Sequence, residues 1–177
     1  MNGVDRLDLR MLALLQEQGD LSINALARRL DIPVSSCHRR LRALEEAGLI
    51  RGRVALVDGA KLGLATVAFV AIRTSQHEPA WLERFARAAA SMPEIQEIHR
   101  LSGNVDYLLK VVVADIAGFD AFYKRLIAAV PLYDVSTSFS MERIKESTAL
   151  PLGLVAPERP VRDAATAPRR AARPRRR

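Results

Sequence analysis

Eight consecutive residues hold most of the chemistry that a nucleic acid could recognise: Ser35-Ser36-Cys37-His38-Arg39-Arg40-Leu41-Arg42. Hydroxyls, an imidazole and guanidinium groups can all match the donor and acceptor pattern that base edges show in a major groove. At helical spacing Cys37, Leu41 and Leu44 share one side, which leaves Ser35, Ser36, His38, Arg39 and Arg42 mainly outward. Arg28, Arg29, Arg40, Arg51 and Arg53 are better placed for phosphate contacts, which supply affinity without sequence information. From Arg28 to Arg53 there are seven Arg against Asp31, Glu45 and Glu46, a local excess of +4. Charge alone does not separate this window from the solvated face of an ordinary helix.

A second constellation lies in Leu101-Ser102-Gly103-Asn104-Val105-Asp106-Tyr107. Gly and Asn tolerate positive φ, so the simplest reading is a turn between two strands. The functional reading is that its N–H groups form an anion nest for a carboxylate while Asp106 meets an ammonium group. An amino acid carries both charges on one carbon. Thr137, Ser138 and Ser140 add hydroxyls further on, which fit either a site or a solvent-facing alternation. No Walker loop, Gly-x-Gly-x-x-Gly, His-Glu-x-x-His or nucleophile elbow is present, so no catalytic residue and no cofactor is assigned. The single Cys37 reads as a small core residue, and His38 has no second ligand nearby, so no metal site is expected.

The elements that must position these groups fall into two bodies and a tail. Leu7, Met11, Leu14 and Leu15 recur at helical spacing until Gly19-Asp20. Ser22 is a candidate N-cap for a second short helix with Leu26, Ala27 and Leu30 inward, and Asp31-Ile32-Pro33 breaks the chain. A third helix follows from about Val34 to Ala47, with Gly48 at its C′ position, and Val54 to Val57 is a short extended stretch. Two short helices with a tight break before a basic helix make the helix-turn-helix pattern, which favours the DNA reading of residues 35–42.

Beyond about residue 62 the pattern changes to β-α-β-β-α-β, the split βαβ order of a ferredoxin-like sandwich. Strands are expected at 66–72, 95–101, 107–113 and 135–141. One helix should bury Trp81, Leu82, Phe85, Ala89 and Met92, and the other Ile116, Phe119, Tyr123, Leu126 and Ile127. Helices would cover one sheet face, and dimerisation is the simple way to cover the apolar residues of the other. The domain reading is therefore 1–61, 62–153 and a disordered basic tail, 154–177, in an α+β chain.

Charge is unevenly spread over the 177 residues. The net +7 resolves into +1 for residues 1–60, 0 for 61–155 and +6 for 156–177, the last segment holding eight Arg and four Pro without an aromatic residue. With 49% apolar residues the chain is not disordered throughout, and it lacks an apolar run of about 18 residues, the length a transmembrane helix needs. No signal-peptide core follows Met1, and a cytoplasmic, nucleoid-associated protein with no membrane partner is the expectation.

In its longer motifs the chain resembles the leucine-responsive regulator/asparagine-regulator family of bacterial and archaeal transcription factors. The likeness runs from about Leu7 to Leu152. It is carried by Leu7-Asp8, by Ser35 through Ile50, by Asp58 through Leu62-Gly63, by Ser102 through Leu109, and by Lys145 with Thr148-Ala149-Leu150-Pro151-Leu152. It implies a winged helix-turn-helix, a hinge strand, and a ferredoxin-like domain that binds amino acids and assembles homodimers into tetramers or octamers. It also implies that the Gly-Asp-x-Asp-Tyr loop lies at the effector site between dimers. Gly103, Asp106 and Tyr107 match that loop, Val105 fills its variable place, and Asn104 replaces the usual first acid. Pro33 stands where the family often has a Ser N-cap. The expected partners are double-stranded DNA and an amino-acid-like effector. Two alternatives share the scaffold: a sirohaem-decarboxylase-like enzyme, which would not need an Arg-rich recognition helix, and an effector-independent nucleoid-structuring protein.

Overall fold

The computed structural model describes residues 3–75 and 78–156. The part of the basic tail from residue 157 on lies outside the described residues. The chain divides into two compact units, residues 3–55 with 147–156, and residues 56–146.

Three helices build the first unit: α1 (Arg6–Glu17), α2 (Ile23–Leu30) and α3 (Val34–Glu46). Asp5 caps α1 through a capping box with Asp8, its side chain accepting from the N–H groups of Leu7 and Asp8. Ser22 caps α2 by accepting from the Ala25 N–H. Asp31 then takes the left-handed conformation, φ 56°, and its N–H reaches the carbonyls of Ala27 and Arg28. That residue makes the tight break between α2 and α3. Pro33 precedes α3 and has no side chain that could cap the first N–H groups of that helix. Met11, Leu26, Ala27, Leu30, Cys37 and Leu44 form the core of the bundle.

Two features at the edges of this unit differ from the sequence reading. Val54 to Val57 contribute no strand: Val54 is 82% and Val57 70% exposed, and among the described residues nothing pairs with them. Extended backbone becomes a strand only beside a neighbour that takes its N–H and C=O groups. Residues 147–153, read as part of the second body, group with the first unit. There Gln16 holds the backbone of Leu150, accepting from its N–H at 2.7 Å and donating to its carbonyl at 3.3 Å.

In the second unit the order is β1 (Thr66–Arg73), α4 (Pro79–Ala90), β2 (Ile95–Arg100), β3 (Tyr107–Val113), α5 (Ile116–Ala129) and β4 (Asp134–Phe139). All pairings are antiparallel, in the sheet order β2-β3-β1-β4. This is the expected β-α-β-β-α-β sandwich. Alternation puts Ala68, Val70, Ile72, Tyr107, Leu109, Val111 and Val113 under the helices, where Trp81, Phe85, Phe122 and Leu126 meet them. Ile116 and Ile127 of α5 are corrections, being 61% and 45% exposed, while Phe122 is fully buried. Apolar residues cover a wide arc of α5, and the sheet takes the part centred on Phe119, Phe122 and Leu126. Leu82 of α4 also stays partly outside, at 38% exposed. The opposite sheet face carries Val67, Phe69, Ala71, Leu108 and Val112, and among the described residues of this unit no helix lies over it.

Candidate nucleic-acid interface and effector site

Helix α3 sorts its residues by face. Cys37 and Leu44 are buried in the bundle, and burial pushes the Cys37 thiol above its ordinary range, so it acts as a packing group. Ser35, His38, Arg39 and Arg42 are exposed, and Ser36 is half-buried. These five form a strip along the side of α3 away from the core. Arg28 and Arg29 are exposed at the end of α2, and Arg51 and Arg53 are exposed beyond α3. Arg42 lies 3.6 Å from Glu46 and Arg53 lies 3.4 Å from Glu45. Such exposed pairs are worth at most about 1 kcal/mol, so a phosphate can replace the carboxylate.

Arg40 has a different destination. Its Nη1 donates at 2.8 Å to Asp5 Oδ2 and at 2.8 Å to Asp8 Oδ1, tying the middle of α3 to the start of α1. The hydrogen bond from Arg40 to Asp8 raises the Arg40 pKa above its ordinary value, against the opposing effect of partial burial. Partial burial works against ionisation of Asp5 as well, but the Asp8 N–H, the Arg40 guanidinium and the Leu7 N–H outweigh it and hold the carboxyl below its usual range. A half-buried guanidinium bridging two carboxylates is occupied, where the sequence reading offers it to a phosphate. The pairing spans 35 residues of sequence, so only the fold shows it. The one local signal was the Asp5-x-x-Asp8 spacing of a capping box.

The loop between β2 and β3 is also put to internal use. Gly103 sits at φ 128°, a conformation that favours glycine. Asn104 is exposed at the tip and Val105 is half-buried behind it. Asp106 is tied three ways: its Oδ2 accepts from the Thr74 N–H at 2.8 Å, its N–H donates to the Ile72 carbonyl at 3.0 Å, and its carbonyl accepts from the Leu101 N–H at 2.9 Å. Tyr107 is buried, its ring 5.0 Å from Phe85 and 5.7 Å from Trp81 between centroids. Thr137 pairs with Val70 on the helix-covered face, and Ser138 pairs with Phe69 on the open face. They point to opposite sides of the sheet, and strand β1 separates them from β3. Within one chain the loop residues 103–107 come together, and Thr137 and Ser138 do not join them.

The sequence also matches known proteins over both units. A family model described as winged helix-turn-helix DNA-binding matches residues 4–51, and one described as the Lrp/AsnC ligand binding domain matches residues 67–150. The DNA-binding transcriptional activator DecR of Escherichia coli K12 is 45% identical over 84% of this chain and 99% of its own length. The glutamate uptake regulatory protein of Zymomonas mobilis is 42% identical over 84% of this chain and 91% of its own. Among solved structures, an AsnC family transcriptional regulator from Agrobacterium tumefaciens superposes with a TM-score of 0.82 at 48% identity, covering 84% of this chain and 97% of that one. A transcriptional regulator from Neisseria meningitidis, solved as a complex with L-Met, gives 0.80 at 32% identity over 85% and 97%. With a helix-turn-helix ahead of a ferredoxin-like ligand-binding domain, and relatives matched over nearly their whole length, the chain belongs to the Lrp/AsnC family of DNA-binding transcriptional regulators.

Proposed function

We propose that this regulator reads specific DNA sites through Ser35, Ser36, His38, Arg39 and Arg42, and that an amino acid or a close analogue sets its state. The observation that carries this reading is the sorting of α3: core residues on one face, outward hydroxyl, imidazole and guanidinium groups on the other. Arg28, Arg29, Arg51 and Arg53 flank that strip and anchor the helix on phosphates without choosing a sequence. Arg40 fixes the pose of α3 from behind.

A single head of this size covers one half-site, so paired heads and a near-palindromic operator with half-sites about one helical turn apart follow. The uncovered sheet face with Val67, Phe69, Ala71, Leu108 and Val112 supports a homodimer, which further assembles to a tetramer or octamer. The L-Met complex of the Neisseria relative supports an amino-acid effector for this chain. In our reading Gly103, Asn104, Val105, Asp106 and Tyr107 shape its site, and Thr137 and Ser138 belong to it only if a second copy supplies them. The effector then shifts assembly or head spacing by its differential affinity for the two states. Work takes place in the cytoplasm, on the nucleoid.

Selection of bound fragments from genomic DNA, followed by footprinting, tests the first half. Phased, near-palindromic protection is expected, and uniform protection of random DNA overturns it. Calorimetric titration with each of the twenty amino acids, with and without the selected operator, tests the second half. At least one should bind with an affinity that DNA changes, and silence from all twenty overturns the effector reading.

A further inference from the structure

A groove of about 500 Å3 runs between α4 and the edge strand β2. That volume lies within the range typical of small-molecule sites. Its helix wall is made by Leu82, Phe85, Ala86, Ala89 and Ala90, and the alanine side chains, which stop at Cβ, leave the space open. On the strand side, Ile98 is opposite Leu109 and Arg100 is opposite Tyr107, so both stand on the helix-covered face. Leu82 and Ile98 are still 38% and 40% exposed, although they line the groove.

Its charges are unequal. Glu97 at the rim is already engaged, with Lys110 at 2.7 Å and His99 at 3.1 Å. The Arg100 guanidinium has no ion pair or hydrogen bond among the described residues, although it borders an apolar wall. A planar guanidinium at one end of an apolar slot matches one ligand shape: a carboxylate head on an apolar body.

We propose that the α4–β2 groove binds a small monocarboxylate, with its carboxylate on Arg100 and its apolar body against Leu82, Phe85 and Ile98. This site needs no ammonium partner, and of the loop residues 103–107 it shares only Tyr107, which also lines the groove. An edge strand can also accept a strand from a second copy, and the test separates that occupant.

The probe is 3-phenylpropanoate, titrated calorimetrically into the full chain, with 3-phenylpropan-1-ol as its neutral match. Saturable binding of the acid is expected, with the alcohol at least tenfold weaker. Arg100→Gln should weaken the acid about tenfold, the loss of one charge-assisted hydrogen-bonded pair, and leave the alcohol unchanged. Ala86→Phe should fill the groove and abolish both. If that variant melts early, Arg100→Gln alone decides. No heat from the acid at millimolar concentration overturns the proposal, as does equal affinity for acid and alcohol. Sedimentation that shows self-association abolished in Ala86→Phe, with no binding of the acid, assigns the groove to a second copy and overturns it too.

Discussion

Helix α3 and the loop at residues 101–106 are the two places where polar side chains invite a functional reading, and they use those side chains in opposite ways. On α3 the helix satisfies its own backbone beyond the first turn, and Ser35, His38, Arg39 and Arg42 are exposed and available. In the loop no regular ladder exists, and Asp106 must supply an acceptor for the Thr74 N–H while its backbone joins Ile72 and Leu101. A polar residue on a regular element is free for function. In an irregular segment the same residue is first a structural part. Arg40 is the exception within α3, because its two carboxylate partners come from another helix.

That division can be broken by measuring stability. Asp8→Ala should have the largest effect, since Asp8 is nearly buried, accepts from Arg40 and closes the capping box on the Asp5 N–H. Its removal leaves two donors short of an acceptor and should cost about 2–3 kcal/mol in urea unfolding. A change below about 0.5 kcal/mol would show that α1 and α3 are not held by this bridge. Asp106→Ala comes next, at about 1–2 kcal/mol, because the Thr74 N–H loses a part-buried acceptor. An effector ligand with no structural duty would leave the urea midpoint where it was.

A smaller effect depends on pH. The folded-state pKa of Asp5 is depressed, so its ionisation adds stability that is fully present above the unfolded value, about 4. That contribution fades as pH falls through the depressed folded value. Asn caps a helix about as well as Asp, so Asp5→Asn should cost about 1 kcal/mol at neutral pH and flatten the acid limb of stability. Both limbs coinciding would remove the ion pair from the account.

The same contrast explains what the sequence disclosed. Outward Ser35, His38, Arg39 and Arg42 follow from a period of 3.6 and three core residues, which is local information. The βαββαβ order also follows from local patterns. The pairing of Arg40 was not legible, because Asp5 and Asp8 lie 35 and 32 residues away and no periodicity records that distance. Ile116 and Ile127 were misplaced because α5 has more apolar residues than its buried arc can hold. The strand expected at 54–57 depended on a partner that this chain does not provide among its described residues. Thr137 and Ser138 looked alike in sequence, yet adjacent strand positions point to opposite faces.

The smallest effect on stability is also the sharpest test of the division between α3 residues. Arg39 is exposed and makes no ion pair among the described residues, so Arg39→Ala should change stability by less than about 0.5 kcal/mol. If it meets DNA, the same change should weaken binding, and removing one phosphate partner would lower the slope of log affinity against log salt by about 1. Arg40→Met should do the reverse. It removes a guanidinium that is already neutralised by Asp5 and Asp8, so the salt slope should stay while stability falls. Two neighbouring arginines with opposite readouts would establish that the fold divides them by role. Equal drops in salt slope would return Arg40 to the DNA, because its guanidinium would then have to leave both carboxylates on binding.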